Sequence, residues 1–401
     1  MTTATRPLAG VRVIEMGSLL AGPFCGQLLA DFGAEVIKVE PPGSGDPMRD
    51  WGQHRKDGRS LWWPVIGRNK KSITLNLRVP EGQALARRLA ASADILVENF
   101  RPGTLERWGL GWDQLSAVNP GLIMVRVSGY GQTGPYRQRA GFGVIGEAMG
   151  GLRHVTGDPD RPPPRVGISI GDSLAAIFGA LGALVALHHR DVNGGRGQVV
   201  DVGIYEAVLA LMESTIPEYA LTGYVRSRTG AVLPGVAPSN IYPARDGSYV
   251  LIAGNADTVF RRLAAAVGHP EWPDDPRFAT HQARGAHQQE LDDRIAAWTR
   301  ERSPEEILAT MHAAGVPAGK VYTAKDMLED PQYAARENIV WVEDPELGPI
   351  PMQNVVPRLT ATPGAVRWPG PALGQHNAEI YGDLLGIAPA EQAALRERGV
   401  I

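Results

Sequence analysis

This sequence has a single cysteine and a small net charge. Cys25 is the single cysteine among 401 residues, which excludes an internal disulfide framework and predicts a reducing, cytoplasmic location. The formal net charge is −3, so neither a nucleic-acid partner nor an acidic interaction tail is expected. The first ten residues carry no long apolar stretch, and we expect no signal peptide.

Long apolar runs and metal-binding motifs are also missing. The most apolar segment follows Asp172 and extends for about fifteen residues, whereas a bilayer span needs roughly 18–20. We therefore predict a buried core helix there and no membrane partner. The nine histidines are not spaced as metal ligands, and neither an H-E-x-x-H motif nor a Cys/His set occurs. No metal site is expected.

Alternating strand and helix patterns run through the first third of the chain. Because parallel strands need helical crossovers, this alternation predicts an α/β fold with a parallel sheet. The pattern changes near residue 222, where a connector rich in chain-breaking residues precedes a strand and three helical stretches. We interpret 225–325 as a smaller α+β domain. The strand-like segments of the larger part are 11–16, 34–40, 72–77, 94–99 and 121–131.

The loop GSLLAGP at 17–23 separates the first predicted strand from the first predicted helix. Nucleotides often bind at such a joint because helix N–H groups face the loop. However, the loop does not contain G-x-G-x-x-G, and no Lys-Ser/Thr pair follows it. Glu40 ends the second strand, where a dinucleotide fold binds a ribose, but it is equally an ordinary strand-end carboxylate. An NAD(P)-dependent oxidoreductase therefore stays as an alternative.

A basic loop follows the second predicted strand. It holds seven cations against three carboxylates, and it can either bind a phosphorylated ligand or form a solvated surface. Composition alone does not choose between these interpretations. The cations are Arg49, Arg55, Lys56, Arg59, Arg68, Lys70 and Lys71.

A lone carboxylate, Asp172, stands at a joint in the stretch RVGISIGDSLAAIFG. We predict a short strand at Val166–Ile170 before it and an apolar helix after it. Aspartate at a helix start is a good N-cap, and the helix dipole keeps such a carboxylate ionised. An ionised carboxylate can also attack an activated acyl group while helix N–H groups bind the developing oxyanion. Asp172 can therefore be a cap, a nucleophile or both.

Several segments together resemble the class III CoA-transferase (CaiB/BaiF) family. Among them are LAGVRVIEMGSLLAGPFCGQLLADFGAEVIKVEPPGSGD, ADILVENFRPGTLERWGL and VSGYGQTGPYRQRAGF. Each segment alone is modest, but the series follows the family's order and spans nearly the whole chain. The matching segments are 8–46, 69–77, 93–110, 127–142, 171–209, 314–323 and 373–386.

The resemblance implies a fold, an assembly and a mechanism. The implied fold is a Rossmann-like large domain with a parallel sheet, built from 1–224 and 326–401, plus the small domain at 225–325. The implied assembly is an interlocked homodimer. In the family, an aspartate at the position of Asp172 forms a mixed anhydride with the donor acyl group and then an aspartyl-CoA thioester. CoA and acyl-CoA are substrates, and no tightly bound cofactor or metal is needed.

The resemblance also implies which residues contact CoA. Pro41 departs from the family pattern, because many members have an arginine there beside the adenine, so this contact must be made otherwise. Arg78 and Arg107 suit phosphate groups. The implied CoA-contacting residues are Leu19, Leu20, Ala21, Leu75, Arg78, Asn99, Phe100 and Arg107.

Phe142 separates two branches of the family. Members that racemise 2-methylacyl-CoA have a histidine at this position, paired with the acid at position 172. Phenylalanine cannot accept a proton, and Gly143 supplies no acid in its place, so a two-base racemisation is missing one base. We therefore predict a transferase, with a racemase as the alternative. Arg139, Asn240 and Phe142 are candidates for the substrate pocket, which suggests succinyl-CoA as donor and a dicarboxylic or hydroxy acid as acceptor.

Overall fold

The computed structural model of the protein describes residues 6–401. They form two compact units. The first comprises the chain as far as Leu152, then Val166–Pro217 and Gln332–Ile401, and the second comprises Arg153–Arg165 and Glu218–Pro331. The ends of this second unit lie close to the predicted boundaries at 225 and 325. It also takes in the segment Arg153–Arg165, which we had expected in the large domain.

The strands and helices alternate in the first part of the chain, as the sequence predicts. The strands are β1 (Arg12–Glu15), β2 (Glu35–Glu40), β3 (Arg55–Lys56), β4 (Arg59–Ser60), β5 (Lys70–Thr74), β6 (Ile95–Glu98), β7 (Ile123–Ser128), β8 (Val199–Gly203), β9 (Ser239–Pro243), β10 (Tyr249–Ala253), β11 (Ala318–Lys320), β12 (Ile339–Asp344) and β13 (Gly348–Gln353). The helices are α1 (Ala21–Asp31), α2 (Trp63–Ile66), α3 (Pro80–Ala91), α4 (Thr104–Arg107), α5 (Trp112–Val118), α6 (Gly143–Met149), α7 (Leu152–Val155), α8 (Ile170–Val192), α9 (Ile204–Leu209), α10 (Thr215–Thr222), α11 (Asp257–Ala266), α12 (His281–Ala286), α13 (Gln288–Arg300), α14 (Pro304–Ala313), α15 (Ala324–Glu329), α16 (Pro331–Ala335) and α17 (Pro389–Glu397).

A six-stranded parallel sheet forms the centre of the first unit, in the order β5-β2-β1-β6-β7-β8. Alternate residues of its strands enter apolar cores on opposite faces, as the two-residue period of a strand requires. In β1, for example, Val13 packs into one core and Ile14 into the other, and Val36 and Ile37 do the same in β2. The sheet is therefore covered on both faces, and the predicted α/β fold with a parallel sheet is confirmed.

The C-terminal segment returns to the same unit and binds the edge of β5. The Asn377 side chain accepts a hydrogen bond from the Thr74 N–H at 2.9 Å and donates to Thr74 Oγ1 at 2.7 Å. The Tyr381 hydroxyl donates to the Thr74 carbonyl at 2.7 Å. A short π-helix, Glu379–Leu384, supplies this tyrosine. Both ends of the chain therefore build the large unit.

The second unit is α+β. Its antiparallel sheet has the order β11-β10-β9. The core beside this sheet includes Tyr242, Val250 and Phe260, which are almost completely buried, together with Leu291 of α13 and Ile307 of α14. Burial of each large apolar side chain contributes roughly 1.5–3 kcal/mol.

The stretch around Asp172 differs from its prediction in two ways. The predicted strand at Val166–Ile170 is wrong, because no strand in the described residues 6–401 pairs with this segment. Helix α8 begins at Ile170, and its N-cap residue is Ser169, so Asp172 lies in the first turn and is not the cap. β-branched residues favour a strand only where a neighbouring strand completes the hydrogen-bond ladder.

Helix α8 is also longer than predicted, since it continues through His189 to Val192. Its 23 residues include an 18-residue window with a mean hydropathy of 1.9, of which 44% is buried. By length and composition alone it could cross a membrane, which is weak evidence because core helices of soluble proteins pass the same test. All of its buried residues except Leu187 are glycine or alanine, such as Ala175, Gly179 and Ala183, whereas Leu181 and Val185 are 54% and 60% exposed.

Candidate active site

The carboxyl ends of four neighbouring strands meet at one edge of the large sheet. The order of the strands changes direction beside β1, because β2 and β5 lie on one side of it and β6 to β8 on the other. In open α/β sheets, ligands bind at this switch point, outside the carboxyl ends of the strands. The loops that follow β5, β2, β1 and β6 are therefore where a ligand site is expected.

A cavity of about 670 Å³ lies at this edge, within the usual range for small-molecule sites. Loops after all four strands line it, and apolar rings form much of the wall. Phe100 and Trp108 pack edge to face, with their ring centroids 5.3 Å apart. The lining residues that matter most here are Ser18, Pro41, Pro42, Leu75, Arg78, Phe100 and Trp108.

The predicted CoA contacts divide into two groups around this cavity. Leu75, Arg78 and Phe100 line it, and Arg78 is exposed there. Leu20 instead lines a second cavity, of about 310 Å³. Arg107 is exposed at the end of α4, where its guanidinium donates to Thr104 Oγ1 at 3.1 Å. The residues outside the lining of the first cavity are Leu19, Leu20, Ala21, Asn99 and Arg107.

The loop between β1 and α1 is held by side chains from other elements. The Ser18 N–H donates to Asn99 Oδ1 at 2.8 Å, and Asn99 Nδ2 donates back to the Ser18 carbonyl at 2.9 Å. The Leu19 N–H donates to Asp46 Oδ1 at 3.0 Å, and Lys38 Nζ donates to the Gly17 carbonyl. Leu19 has a φ of +64°, a left-handed conformation that costs roughly 1–2 kcal/mol for a residue with a side chain.

Four buried charges lie beneath this loop. Lys38 Nζ is 2.7 Å from Asp46 Oδ2 and 3.2 Å from Glu15 Oε1, and Lys70 Nζ is 2.8 Å from Glu15 Oε2. All four side chains are at most 1% exposed. Burial alone would lower the pKa of Lys38, but the carboxylates of Asp46, Glu15 and Glu40 raise it above its ordinary value. Lys38 therefore stays charged where it binds the loop.

The basic loop does not present free cations to this cavity. Arg49 forms a two-pronged ion pair with Glu40, at 2.8 Å for each prong, and its guanidinium lies 3.7 Å from the Trp63 ring centroid. Arg68 pairs with Asp31 at 2.6 Å. The remaining cations contact Asp50, Leu347, Glu346, Glu15 and Glu35 in structural bonds. Arg49, Arg68, Lys70 and Lys71 therefore belong to an ion-pair network, whereas Arg55, Lys56 and Arg59 are exposed, as a solvated surface predicts.

Phe100 is fixed from behind by a buried carboxylate. Its N–H donates to Glu98 Oε2 at 2.7 Å, and Glu98 Oε1 accepts from Arg126 Nε at 2.7 Å. Arg126 also binds Glu106 at 2.7 Å. Burial raises the pKa of Glu98 to about 7, although Arg126 and the Phe100 N–H oppose this shift. The position of the aromatic wall thus depends on a group that titrates near neutrality.

The carboxylate of Asp172 faces the first turn of α6. A Cβ added at Gly143 would lie 2.3 Å from Asp172 Oδ2 and 2.8 Å from its Cγ, so only glycine leaves room for the carboxylate here. Gly171 approaches the same turn, since a Cβ on it would lie 2.9 Å from the Gly143 carbonyl oxygen. The neighbouring Ser173 lines the second cavity together with Leu20. Asp172 does not line the 670 Å³ cavity.

Each candidate substrate-pocket residue is described by its contacts within its own unit. Phe142 precedes Gly143 and is 70% exposed. The Arg139 guanidinium lies 3.6 Å from the Tyr136 ring centroid. Asn240 belongs to β9 of the second unit, where its Nδ2 donates to Asp292 Oδ2 at 2.9 Å. Their assignment to the acceptor pocket stays a prediction.

Sequence reasoning missed the residues that hold the first cavity in shape. Lys38, Asp46 and Trp108 were not selected, although one signal was visible. Lys38 interrupts the otherwise apolar β2 strand, and a lysine in a fully buried strand must find a carboxylate. Its partner Asp46 lies in the following loop, and no pattern in the sequence specifies that pairing.

Comparison with known proteins identifies the family. The model of CoA-transferase family III matches residues 8–377. The chain belongs to CoA-transferase family III. It is 68% identical over 396 residues to succinyl-CoA–D-citramalate CoA-transferase of Chloroflexus aurantiacus, an alignment that covers 99% of this chain and 98% of that protein.

Two further family members extend the comparison. The alpha subunit of succinyl-CoA–L-malate CoA-transferase from Chloroflexus aurantiacus is 43% identical, with 98% of this chain and 92% of that one covered. A crystal structure of a CaiB/BaiF family protein from Brucella suis has a TM-score of 0.84 at 34% identity, covering 95% of this chain and 100% of that one. The prediction of a CoA-transferase is therefore confirmed, and the oxidoreductase alternative gains no support.

Proposed function

We propose that this CoA-transferase moves CoA from succinyl-CoA to D-citramalate, with Asp172 as the nucleophile. The observation that carries the assignment of the nucleophile is the packing of the Asp172 carboxylate against Gly143, in the first turn of α8. The substrates come from the relative with 68% identity, whose name contains both of them. The name of the relative with 43% identity also contains succinyl-CoA, with L-malate as the second substrate, so the donor is the better supported of the two substrates.

The first half of the reaction uses Asp172 twice. Its carboxylate oxygen bonds to the thioester carbonyl carbon of succinyl-CoA, the C–S bond breaks, and CoA leaves as a thiolate. The thiolate then attacks the aspartyl carbonyl carbon of the mixed anhydride and displaces succinate, which leaves an aspartyl-CoA thioester. One thioester is consumed and one is formed, so no external energy source is required. N–H groups at the start of α8 suit the oxyanion that develops.

The second half repeats these steps in reverse with the acceptor. An acceptor carboxylate attacks the aspartyl-CoA carbonyl carbon and releases the thiolate. That thiolate attacks the acceptor acyl carbon of the new anhydride, which forms acyl-CoA and restores the Asp172 carboxylate. No proton is removed from a carbon atom at any step. A racemase would require such a removal, and Phe142 offers no base for it.

The nucleotide end of CoA is assigned to the 670 Å³ cavity. Arg78 provides an exposed guanidinium for phosphate groups. Pro41 stands where many family members have an arginine, and Pro42 and Trp108 line the same cavity. We assign the adenine to this apolar surface, where packing replaces the missing guanidinium contact.

A second copy of the chain is assigned to the outward face of α8. Ile177, Leu181 and Val185 project from this face and are 46–60% exposed. Monomeric soluble proteins rarely expose a contiguous apolar patch, which supports a partner at this face, and we assign this partner to the family's interlocked homodimer. A cytoplasmic location and the absence of a tightly bound cofactor stay predictions.

The decisive experiment compares Asp172→Ala with Asp191→Ala. Both aspartates lie on α8, but Asp191 is in its last turn, so its removal controls for the loss of one carboxylate from this helix. Wild type and Asp191→Ala are expected to transfer CoA from succinyl-CoA to D-citramalate and to form a hydroxylamine-sensitive adduct visible by intact mass. Asp172→Ala is expected to do neither, and full activity in this variant would disprove the mechanism.

The acceptor is tested separately, with D-citramalate, L-citramalate, L-malate and glutarate compared at equal concentration. The proposal requires the highest kcat/KM with D-citramalate. Faster turnover with L-malate would contradict the acceptor but leave the donor and Asp172 in place. Exchange of an α-proton of an acyl-CoA with solvent deuterium, without any acceptor, would instead support the racemase.

A further inference from the structure

We propose that Asn99, Lys38 and Asp46 are positioning residues that fix the β1–α1 loop as one wall of the CoA cavity. This inference rests on the proposed placement of CoA in the 670 Å³ cavity. Asn99 was expected to be a CoA contact, but it lies outside the cavity lining, whereas Gly17 and Ser18 of the loop line it.

The first step is that the loop's polar backbone groups are already occupied. The Gly17 carbonyl accepts from Lys38, both backbone groups of Ser18 bind Asn99, and the Leu19 N–H donates to Asp46. A Rossmann-type loop usually offers N–H groups at this point to the phosphates of a dinucleotide. Here the N–H groups of Ser18 and Leu19 bind side chains instead. At Ser18 and Leu19 the loop therefore acts as a preformed wall and offers no N–H group to the CoA phosphates, for which Arg78 is a candidate.

The second step is that the Asn99 amide is bonded to the loop through both of its polar atoms, which bind Ser18. Two glycines pack against it, since a Cβ on Gly17 would lie 2.8 Å from Asn99 Oδ1 and a Cβ on Gly22 would lie 3.3 Å from it. Gly22 belongs to the first turn of α1. The amide therefore packs against both the loop and the helix that follows it.

The third step is that the Lys38–Asp46 pair connects two walls of the same cavity. Asp46 follows β2, and its own N–H donates to Glu40 Oε2 at 2.9 Å while its carboxylate accepts from Leu19 and Met48. Lys38 binds that carboxylate and the Gly17 carbonyl. Displacement of the loop after β2 therefore also displaces the β1–α1 loop. Asn99 and Asp46 bind different backbone atoms of the β1–α1 loop but hold it in one position.

We call the contacts of Asn99, Lys38 and Asp46 with the β1–α1 loop the clamp. Hydrogen exchange in the ligand-free enzyme tests whether this clamp exists without any assumption about CoA. In Asn99→Ala, a peptide covering 16–24 is expected to exchange about tenfold faster than in wild type, because the Ser18 N–H loses its acceptor. Asn99→Asp keeps that acceptor and loses the donor to the Ser18 carbonyl, so an intermediate rate is expected. Asn119→Ala is the matched control, since its amide binds the Ala90 and Ala93 carbonyls elsewhere. Unchanged exchange in both Asn99 variants would overturn the clamp.

Steady-state kinetics test whether the clamp affects the binding of succinyl-CoA. Asn99→Ala and Asp46→Asn are each expected to raise KM for succinyl-CoA about tenfold, with kcat changed about threefold or less. Because both act on one loop, their double variant is expected to fall well short of the product of the single effects. Asn99→Ala combined with Arg78→Ala is expected to be multiplicative. Independent effects of Asn99 and Asp46, or an unchanged KM, would overturn the positioning role.

The two proposals fail in different ways. If wild type does not use succinyl-CoA, the proposed function fails, while the exchange measurements still decide whether the clamp exists. If exchange accelerates as expected and KM for succinyl-CoA stays at the wild-type value, the positioning role is overturned and the proposed function stands.

Discussion

Replacement of Gly143 by alanine tests the position of the nucleophile more sharply than removal of Asp172 does. The added Cβ would lie 2.3 Å from Asp172 Oδ2, whereas ordinary contacts begin at 3.4 Å. The carboxylate must therefore move by about 1 Å, and a displacement of that size can cost roughly 100-fold in rate. This corresponds to about 2.7 kcal/mol of lost transition-state stabilisation. All catalytic atoms remain present in the variant.

Stability is expected to change much less than activity. Gly143 is the first residue of α6, and the preference of a helix for alanine over glycine, up to roughly 1 kcal/mol, offsets part of the strain that the added Cβ introduces. The variant should therefore retain its melting temperature while kcat falls, and KM for succinyl-CoA should change little because Gly143 does not line the 670 Å³ cavity. A loss of rate without a loss of stability separates misplacement of Asp172 from unfolding.

Gly167→Ala is the matched control for this experiment. A Cβ at Gly167 would meet nothing within 4 Å, and the backbone there is not left-handed, yet the position is only five residues before Asp172. Steady-state rates and the yield of the hydroxylamine-sensitive adduct are compared between the two variants. If Gly143→Ala forms the adduct as fast as Gly167→Ala, Asp172 does not act from the position that the structure gives it.

Two further predictions concern assembly and pH. Leu181→Glu places a charge on the outward face of α8, so the mass measured by light scattering is expected to fall from that of a dimer to that of a monomer. The control Val118→Glu, on the exposed side of α5, is expected to remain a dimer. A wild-type protein that is monomeric, or that is recovered with membranes, would contradict the assigned second copy. In the folded protein the pKa of Glu98 is raised to about 7 from an ordinary value of 4.5, so the stability that this group contributes is fully present below about pH 4.5 and is lost as the pH rises through about 7. Glu98→Gln is therefore expected to flatten the fall in melting temperature between pH 5 and 8. An unchanged slope would show that Glu98 is ionised throughout this range.

The sheet and its switch point were predictable because each strand carries its own signal. β1, β2, β6 and β7 are short, largely apolar runs separated by helical patterns, and such alternation permits little besides a parallel sheet. The predicted strand at 72–77 overlaps β5 (Lys70–Thr74), which is mostly polar. Three residues predicted to contact CoA, Leu75, Arg78 and Phe100, line the cavity because they directly follow those strands. Whether a residue directly follows a strand depends on the neighbouring residues alone, so it can be predicted from the sequence.

Pairings between distant residues were not predictable in this way. Arg49, Arg68 and Lys70 read as a basic surface, yet they bind Glu40, Asp31 and Glu15 in the folded chain. The segment Val166–Ile170 has strand-forming residues but lacks a neighbouring strand in the described fold, so local preference was overridden. Asp172 was placed correctly at the start of a helix, but the helix begins two residues before it, which a capping preference alone cannot resolve.

Helix α8 connects the chemistry to the assembly. Its small inward residues let the backbone approach the sheet closely, since a Cβ on Gly179 would already lie 3.2 Å from Val125 Cγ1 and 3.4 Å from Cys25 Sγ. That close contact fixes the first turn, and with it Asp172, while the large apolar residues are left on the opposite face. A substitution at Leu181 therefore changes the outward face without touching the contacts that position Asp172 in its own chain. If activity is lost together with the dimer in Leu181→Glu, the second copy must contribute to the site, whereas an active monomer would show that one chain holds all the catalytic groups.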